Sequence, residues 1–145
     1  MSQFSVRKNN GKTEIFDIVR KKYVALTPEE WVRQNVLHYL AEVKQYPLEL
    51  IQVEGSVTFN SMPKRCDIVV YNKSIKPLLL VECKNTTVAI SQTTFDQAMI
   101  YNMVLEVPYI LITNGLQHYC FSYDKNGSTV ACHNEIPAWD GLKNL

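Results

Sequence analysis

Apolar residues recur at helical spacing in two segments of the chain. In the first, Thr27 is a good N-cap, Pro28 suits the first helical position, and Glu30 completes a capping box. The apolar positions that follow are Val32, Val36, Tyr39, Leu40 and Val43, so we predict a helix over about 28–44. The second segment predicts a helix over about 91–105, with Pro108 just beyond its end.

Short runs rich in Val, Ile and Leu predict strands around these helices. Three of them lie between the helices, at Leu50–Phe59, Cys66–Tyr71 and Leu78–Cys83, with loops that contain Pro63 and Pro77. Three more follow the second helix, at Tyr109–Thr113, Gln117–Tyr123 and Ser128–His133, separated by Asn114-Gly115 and Asn126-Gly127. At the start of the chain, Asn9-Asn10-Gly11 predicts a hairpin turn between Phe4–Lys8 and Thr13–Ile18.

The order of these elements predicts an α/β fold with a mixed sheet and flanking helices. It runs α-β-β-β-α-β and adds a C-terminal β-hairpin. The helix between Leu78–Cys83 and Tyr109–Thr113 implies a right-handed crossover that leaves those two strands parallel, whereas the three earlier strands should be antiparallel. At 145 residues, we expect a single domain over 1–145.

Composition and charge narrow the function classes only slightly. Hydrophobic residues make up 46% and charged residues 20%, as in ordinary globular proteins, and the net charge of +1 gives no global sign of nucleic-acid binding. The basic clusters Arg20-Lys21-Lys22 and Lys64-Arg65 are more simply explained as solvated surface charge. No apolar run is long enough to span a membrane and the N-terminus lacks a signal peptide, so a cytoplasmic location is expected. The four cysteines lack zinc-site spacing and are expected to be reduced, mostly buried thiols.

Candidate chemistry lies where two predicted strands carry charged residues. If the loop between these strands spans 72–77, residues whose numbers sum to 149 face each other, which pairs Asp67 with Glu82. Lys84 is two residues further along the strand and therefore on the same face. Asp67, Glu82 and Lys84 should converge, and the two carboxylates should lie close enough to share one ion.

Two adjacent carboxylates repel each other unless a cation lies between them. Mg²⁺ or Mn²⁺ suits such an oxygen site, and the backbone carbonyl of Cys83 would add a third oxygen ligand. A metal-activated water would attack a phosphodiester, and Lys84 would orient that water, lower its pKa or stabilise the transition state. The competing interpretation is that Glu82-Cys83-Lys84 is an exposed cross-strand ion pair, since short motifs often arise by chance.

With these residues, the chain resembles the PD-(D/E)xK nuclease superfamily, in particular the N-terminal nuclease domain of type I restriction enzyme R subunits. The similarity runs from about Lys21 to Cys120. Its carriers are Thr27-Pro28-Glu29-Glu30-Trp31-Val32-Arg33-Gln34, Arg65-Cys66-Asp67-Ile68-Val69-Val70, Val81-Glu82-Cys83-Lys84, Phe95-Asp96-Gln97-Ala98-Met99-Ile100-Tyr101-Asn102 and Ile112-Thr113-Asn114-Gly115. The resemblance implies a restriction-endonuclease-like core, with Asp67, Glu82 and Lys84 as the catalytic set.

The resemblance also implies further site residues. Glu30 matches an acidic position on the first helix, although its capping-box role is an equally good explanation. Gln97 and Tyr101 match a Gln-x-x-x-Tyr motif and would hold Lys84 or a DNA phosphate, unless they are ordinary polar residues of a packed helix. Glu54 is another acidic candidate, whose simpler interpretation is an outward-facing strand residue.

The leading functional hypothesis is a Mg²⁺-dependent DNA endonuclease of restriction type, or its isolated nuclease domain. One alternative is a non-catalytic module with this fold that binds nucleic acid or protein. Another is a nuclease for RNA or for special DNA structures. A homodimer, with its edge at the hairpin over 117–133, or a larger restriction or repair complex would supply the DNA affinity that the near-neutral charge does not predict.

Overall fold

The computed structural model describes residues 4–59, 62–105, 107–123 and 130–143, and within these ranges it leaves the side chains of 56–59, 62–65 and 99–105 undescribed. A small antiparallel sheet comes first, with strands β1 (Val6–Asn9), β2 (Lys12–Asp17) and β3 (Lys22–Ala25). The predicted hairpin is confirmed, because Asn10 and Gly11 between β1 and β2 both have positive φ, at 52° and 78°. The sequence patterns did not predict β3.

Helix α1 (Pro28–His38) begins as expected, since the Thr27 hydroxyl oxygen accepts a hydrogen bond from the Glu30 backbone N–H at 3.0 Å. The predicted helix over 28–44 was too long as an α-helix, because a π-helical turn, Tyr39–Val43, follows His38. In that turn the Lys44 N–H donates to the Tyr39 carbonyl at 3.1 Å, a five-residue closure that widens the helix.

In the described part of the chain, the main sheet has six strands in chain order, and it is mixed, as the sequence predicted. They are β4 (Ile51–Phe59), β5 (Met62–Tyr71), β6 (Pro77–Cys83), β7 (Tyr109–Thr113), β8 (His118–Tyr123) and β9 (Val130–His133). Helix α2 (Gln92–Leu105) connects β6 to β7, which are parallel, and the other neighbouring pairs are antiparallel. A short helix, α3 (Trp139–Leu142), follows in a segment for which the sequence predicted no element. The turn predicted at Asn126-Gly127 lies outside the described residues.

Two corrections concern the edges of β5 and β6. Pro63 lies inside β5 opposite Thr58 of β4, and not in a loop as predicted. Proline has no backbone N–H to donate to a neighbouring strand. It is tolerated at this position because the described pairing of β5 with β6 begins only at Ile68. Tyr71 pairs with Pro77 and not with the predicted Leu78, because the register shifts between Val70 and Tyr71.

The core lies on both faces of the main sheet, because side chains alternate along each strand. On one face, α1 packs against the odd-numbered residues of β6 and the even-numbered residues of β5. This cluster includes Val32, Leu37, Leu40, Ile68, Val70, Leu79 and Val81. On the opposite face, Ala98 of α2 packs on Ile110, Ile112 and Phe121. In the described part of the chain, no helix is both long enough and apolar enough to cross a membrane.

Candidate nuclease site

The strand register places three acidic residues in one row across the main sheet. Ile68 pairs with Val81 as predicted, and Asp67 of β5 and Glu82 of β6 are the next residues beyond that pair. On the other side of β5, the pairs at Val53–Ile68 and Gly55–Cys66 flank Glu54 and Asp67, which therefore oppose each other. Asp67 thus lies between two glutamates on neighbouring strands.

Glu54 occupies an unusual backbone conformation for a strand residue, with φ at 55°. A non-glycine residue in this left-handed region is strained by roughly 1–2 kcal/mol, and such outliers concentrate at functional sites. Its carboxylate lies 3.5 Å from Arg20 Nη1 and 3.6 Å from Arg33 Nη1. The simpler interpretation of Glu54 as an outward-facing strand residue is therefore wrong.

Arg33 of α1 connects the helix to this acidic row. It is only 7% exposed, and it donates from Nη1 to Glu30 Oε1 at 2.9 Å and from Nη2 to Asp67 Oδ1 at 3.2 Å. Burial opposes its charge, but the carboxylates of Glu30 and Asp67 outweigh that effect and raise the pKa of Arg33. The guanidinium is therefore a permanent internal counter-ion of the candidate site.

Arg20 extends the same network toward the small sheet. Its Nε contacts Asp17 Oδ2 at 2.5 Å and its Nη2 contacts Glu30 Oε1 at 3.0 Å. Asp17 is fully buried and also accepts backbone N–H bonds from Val19 and Arg20. Burial works against ionisation of Asp17, but the N–H donors and the Arg20 guanidinium hold its pKa below the ordinary value. We call Asp17, Arg20, Glu30, Arg33, Glu54 and Asp67 the arginine–carboxylate network.

Glu30 contributes its backbone N–H to the helix N-terminus and its carboxylate to the network. Its backbone N–H forms one half of the predicted capping box with Thr27. Its carboxylate accepts hydrogen bonds from Arg20, Arg33 and Gln34, so it faces the network and does not return to the helix start. The contribution of Glu30 to catalysis stays a prediction.

Asp67 is held from a second side by the strand that carries the other predicted residues. The backbone N–H of Cys83 donates to Asp67 Oδ2 at 2.7 Å. The Cys83 thiol is buried, and burial together with the nearby Asp67 carboxylate raises its pKa well above the ordinary value. The thiol therefore stays protonated, which leaves the backbone carbonyl of Cys83 as its ligand for a hard metal ion.

The remaining predicted residues lie at the end of β6 and on α2. Lys84 is half-buried, and its backbone N–H donates to the Thr113 carbonyl at 2.8 Å, which fixes its main chain against β7. Gln97 is exposed on α2, whereas the Tyr101 side chain lies outside the described residues. The predicted approach of Gln97 and Tyr101 to Lys84, and the sharing of one ion by Asp67 and Glu82, stay predictions.

The donor set fits a hard divalent cation in its chemistry. Asp67, Glu82 and the Cys83 carbonyl offer only oxygen, the ligand type that Mg²⁺ and Mn²⁺ prefer. Among the described residues, no three or more His, Cys, Asp or Glu side chains are grouped so that they could hold a metal ion, so a metal here would rely on few protein ligands and several waters.

A cavity of about 480 Å³ lies elsewhere, between α1 and strands β7 and β8. Trp31, Tyr39 and His118 are among its lining residues, and Leu111 and Thr113 contribute from β7. Its walls belong to the α1 face of the sheet, and among the described residues Glu54, Asp67 and Glu82 do not line it.

Three residues of the network escaped prediction from sequence: Asp17, Arg20 and Arg33. The spacing of Glu30 and Arg33 on one helical turn was the available signal for an ion pair. The sequence signal for the pairing of Glu54 with Asp67 was the dipeptide Asn60-Ser61. A two-residue hairpin turn at such a dipeptide would make the numbers of opposed residues sum to 121, as the numbers of the β4–β5 pairs do.

The mixed sheet with its flanking helices is a restriction-endonuclease-like fold. The chain belongs to the family described as type I restriction enzyme R protein N terminus, whose model matches residues 28–137. Among solved structures, the chain is similar to a DUF820 protein from Anabaena variabilis ATCC 29413, described as a candidate nuclease. That match has a TM-score of 0.55 and 13% sequence identity, and it covers 94% of this chain and 83% of the other. A search of curated proteins found no match.

Proposed function

We propose that this protein is a divalent-metal-dependent DNA endonuclease of restriction type. The observation that carries the proposal is the row Glu54, Asp67 and Glu82 on three neighbouring strands, with Lys84 two residues beyond Glu82. Membership in a restriction enzyme family supports DNA as the substrate and phosphodiester hydrolysis as the reaction.

Each residue of the row has a distinct part in the proposed mechanism. Asp67, Glu82 and the carbonyl oxygen of Cys83 would bind Mg²⁺ or Mn²⁺, which supplies Lewis acidity toward the phosphate and lowers the pKa of water. Lys84 would place its ammonium group beside the phosphoryl oxygens and stabilise the negative charge that grows on them. Gln97 and Tyr101 would hold Lys84 or a neighbouring DNA phosphate in position.

The affinity for DNA would depend on partners as well as on this site. A net charge of +1 gives little general attraction to a polyanion, so assembly into a homodimer or a restriction or repair complex would increase binding. Strand β9 forms one edge of the described six-stranded sheet, and its side chains are exposed from Val130 to His133. This edge supports the proposal of a dimer that continues the sheet.

The test is a cleavage assay with Mg²⁺ or Mn²⁺ on single-stranded, duplex and branched DNA and on RNA. Wild type should cut at least one DNA substrate, EDTA should stop cutting, and Asp67→Ala should be inactive. Asp140→Ala is the matched control, because Asp140 is exposed on α3 and pairs with Lys143 at the surface. It should cut like wild type.

The alternatives give different results in the same assay. Folded wild type that binds DNA without cutting it under any metal condition would contradict the proposal and favour a non-catalytic binding module. Cutting of RNA but not DNA would support phosphodiester hydrolysis and would contradict DNA as the substrate. Equal cutting by wild type and Asp67→Ala would exclude Asp67 from the reaction.

A further inference from the structure

We propose that Arg33 is a positioning residue that competes with the divalent metal ion for Asp67 and thereby sets the metal affinity of the site. This inference rests on the proposed nuclease function. It assigns to Arg33 a role that the resemblance did not predict: an internal cation that holds Asp67 until the metal ion takes over part of its charge.

The first support is the contact itself. Arg33 Nη2 lies 3.2 Å from Asp67 Oδ1, while Oδ2 of the same carboxylate accepts the Cys83 N–H at 2.7 Å. A metal ion that binds Oδ1 of Asp67 must therefore share this oxygen with a buried guanidinium or displace the guanidinium, and one that binds Oδ2 still meets the positive charge of Arg33 on the same carboxylate. Like charges in a site of low polarity repel strongly, so a metal ion that shares the carboxylate with Arg33 binds more weakly.

The second support is the way Arg33 is anchored. Its shorter bond, 2.9 Å, joins it to Glu30, and Glu54 lies at 3.6 Å, so two carboxylates hold the guanidinium independently of Asp67. Its Nε is buried without a hydrogen-bond partner among the described residues, so the guanidinium retains one N–H that is not engaged by them. Arg33 can release Asp67 and remain paired.

The third support is the balance of charge. The arginine–carboxylate network joins four carboxylates to only two guanidinium groups, so with every carboxylate ionised it carries two negative charges in excess. One divalent cation would neutralise that excess. Removal of Arg33 would raise the excess to three, which increases the attraction for a cation while it destabilises the metal-free protein.

The experiment measures Mn²⁺ binding by titration calorimetry and the melting temperature in EDTA and in Mn²⁺. Arg33→Met should bind Mn²⁺ about tenfold tighter than wild type, melt several degrees lower in EDTA, and recover most of that loss in Mn²⁺. Arg33→Lys keeps the charge and should bind Mn²⁺ more like wild type. Arg7→Met is the matched control, because Arg7 is exposed and pairs with Glu14 outside the network. It should leave the affinity unchanged.

A purely structural ion pair gives another pattern. Equal or weaker Mn²⁺ binding by folded Arg33→Met would overturn the competition. If Arg33→Met does not fold, the side-chain Nε–H signal of Arg33 in wild type can be followed by NMR as Mg²⁺ is added. It should shift with the same saturation curve as metal binding, and a signal that stays fixed while the metal binds would also overturn the inference.

The same data separate this inference from the proposed function. Wild type should bind Mn²⁺, and Asp67→Asn should not. If neither binds, the metal site and the inference both fail. If wild type binds and Asp67→Asn does not, but Arg33→Met matches wild type, only the role of Arg33 is refuted.

Discussion

The backbone N–H of Cys83 donates a hydrogen bond to Oδ2 of Asp67 at 2.7 Å, across the boundary between β6 and β5. The donor lies between Glu82 and Lys84, so the strand that carries two predicted site residues also fixes the third. Arg33 holds the other oxygen of Asp67. Asp67 is therefore held from two directions, by a backbone donor of β6 and by a guanidinium of α1.

Replacement of Lys84 should separate chemistry from metal binding. Lys84→Met keeps the length of the side chain but removes the ammonium charge, so we expect cleavage to fall by about 10²-fold or more. Mn²⁺ affinity should not decrease, because Lys84 supplies no ligand oxygen. Cleavage rates and titration calorimetry on the same preparation check both expectations. A variant that cuts normally would remove Lys84 from the mechanism.

The exposed position of Gln97 makes it a clean test of the predicted Gln-x-x-x-Tyr function. Gln97→Ala should leave the melting temperature within about 1 °C of wild type, since exposed substitutions rarely change stability. If Gln97 holds Lys84 or a DNA phosphate, cleavage should fall by roughly tenfold. Thr93→Ala, also exposed on α2, is the control and should cut normally. Equal rates for both variants would assign Gln97 to the helix surface.

Much of the fold followed from the sequence because it depends on local patterns. The alternation over Cys66–Tyr71 and Leu78–Cys83, together with one short loop, predicted the register of β5 and β6, which is confirmed from Ile68–Val81 to Val70–Leu79. The helix between Cys83 and Tyr109 predicted the parallel pair β6–β7, which the structure confirms. These features need only strand periodicity, turn length and the handedness of crossovers.

The arginine–carboxylate network could not be predicted in the same way, because long-range packing brings its members together. Arg33 and Asp67 are 34 residues apart, as are Arg20 and Glu54. Arg20 belongs to a basic cluster that looks like solvated surface charge in the sequence. Its partners become visible only when the small sheet, α1 and β4 are placed beside one another.

Asp17 should make stability depend on pH in the acid range. Its folded pKa is lower than its unfolded pKa of about 3.8, so its ionised form stabilises the native state. That contribution is fully present above the unfolded pKa and is lost as the pH falls through the folded pKa. Asp17→Asn should lower the free energy of unfolding at pH 7 by about 1–3 kcal/mol, because buried N–H donors lose a charged acceptor.

Urea unfolding from pH 7 to pH 2 measures this effect. The difference between wild type and Asp17→Asn should shrink below about pH 4, where wild type also loses the charge. Asp140→Asn, at an exposed ion pair, is the control and should follow wild type at every pH. If the difference in the free energy of unfolding between wild type and Asp17→Asn stays constant with pH, Asp17 stabilises the protein through its packing and not through its charge.

Two glycines should respond in opposite directions to the same substitution. Gly115 has φ at 88°, and a Cβ there would lie 3.2 Å from Val32 Cγ2 and 3.4 Å from Thr86 Cγ2. Gly115→Ala should therefore destabilise the protein by about 1–2 kcal/mol. Gly141 is in α3, and among the described residues its added Cβ would meet only Pro137 Cβ, at 3.8 Å, so Gly141→Ala should stabilise by about 0.5 kcal/mol. Equal effects in thermal unfolding would contradict this assignment.

The cysteines provide a chemical probe of the proposed metal site. Cys132 on β9 is exposed, whereas Cys66, Cys83 and Cys120 are buried. Burial raises the pKa of Cys120 to about 11 and that of Cys83 well above the ordinary value, which keeps both as unreactive thiols. At pH 8, a thiol reagent should modify one cysteine rapidly in the native protein and all four after unfolding.

Cys132→Ser should abolish the rapid phase, and the slow phase that remains should report the opening of the buried sites. The Cys83 thiol is buried in the core cluster that includes α1, whose Arg33 contacts Asp67, and the Cys83 N–H also binds Asp67, so we expect the opening that exposes this thiol to disturb Asp67. Mg²⁺ bound by Asp67 and Glu82 should therefore slow the modification of Cys83 in Cys132→Ser, and should have no such effect once Asp67→Asn is added. Mass spectrometry of the modified peptides identifies which cysteine reacts, and equal Cys83 rates with and without Mg²⁺ would argue against metal binding at this row.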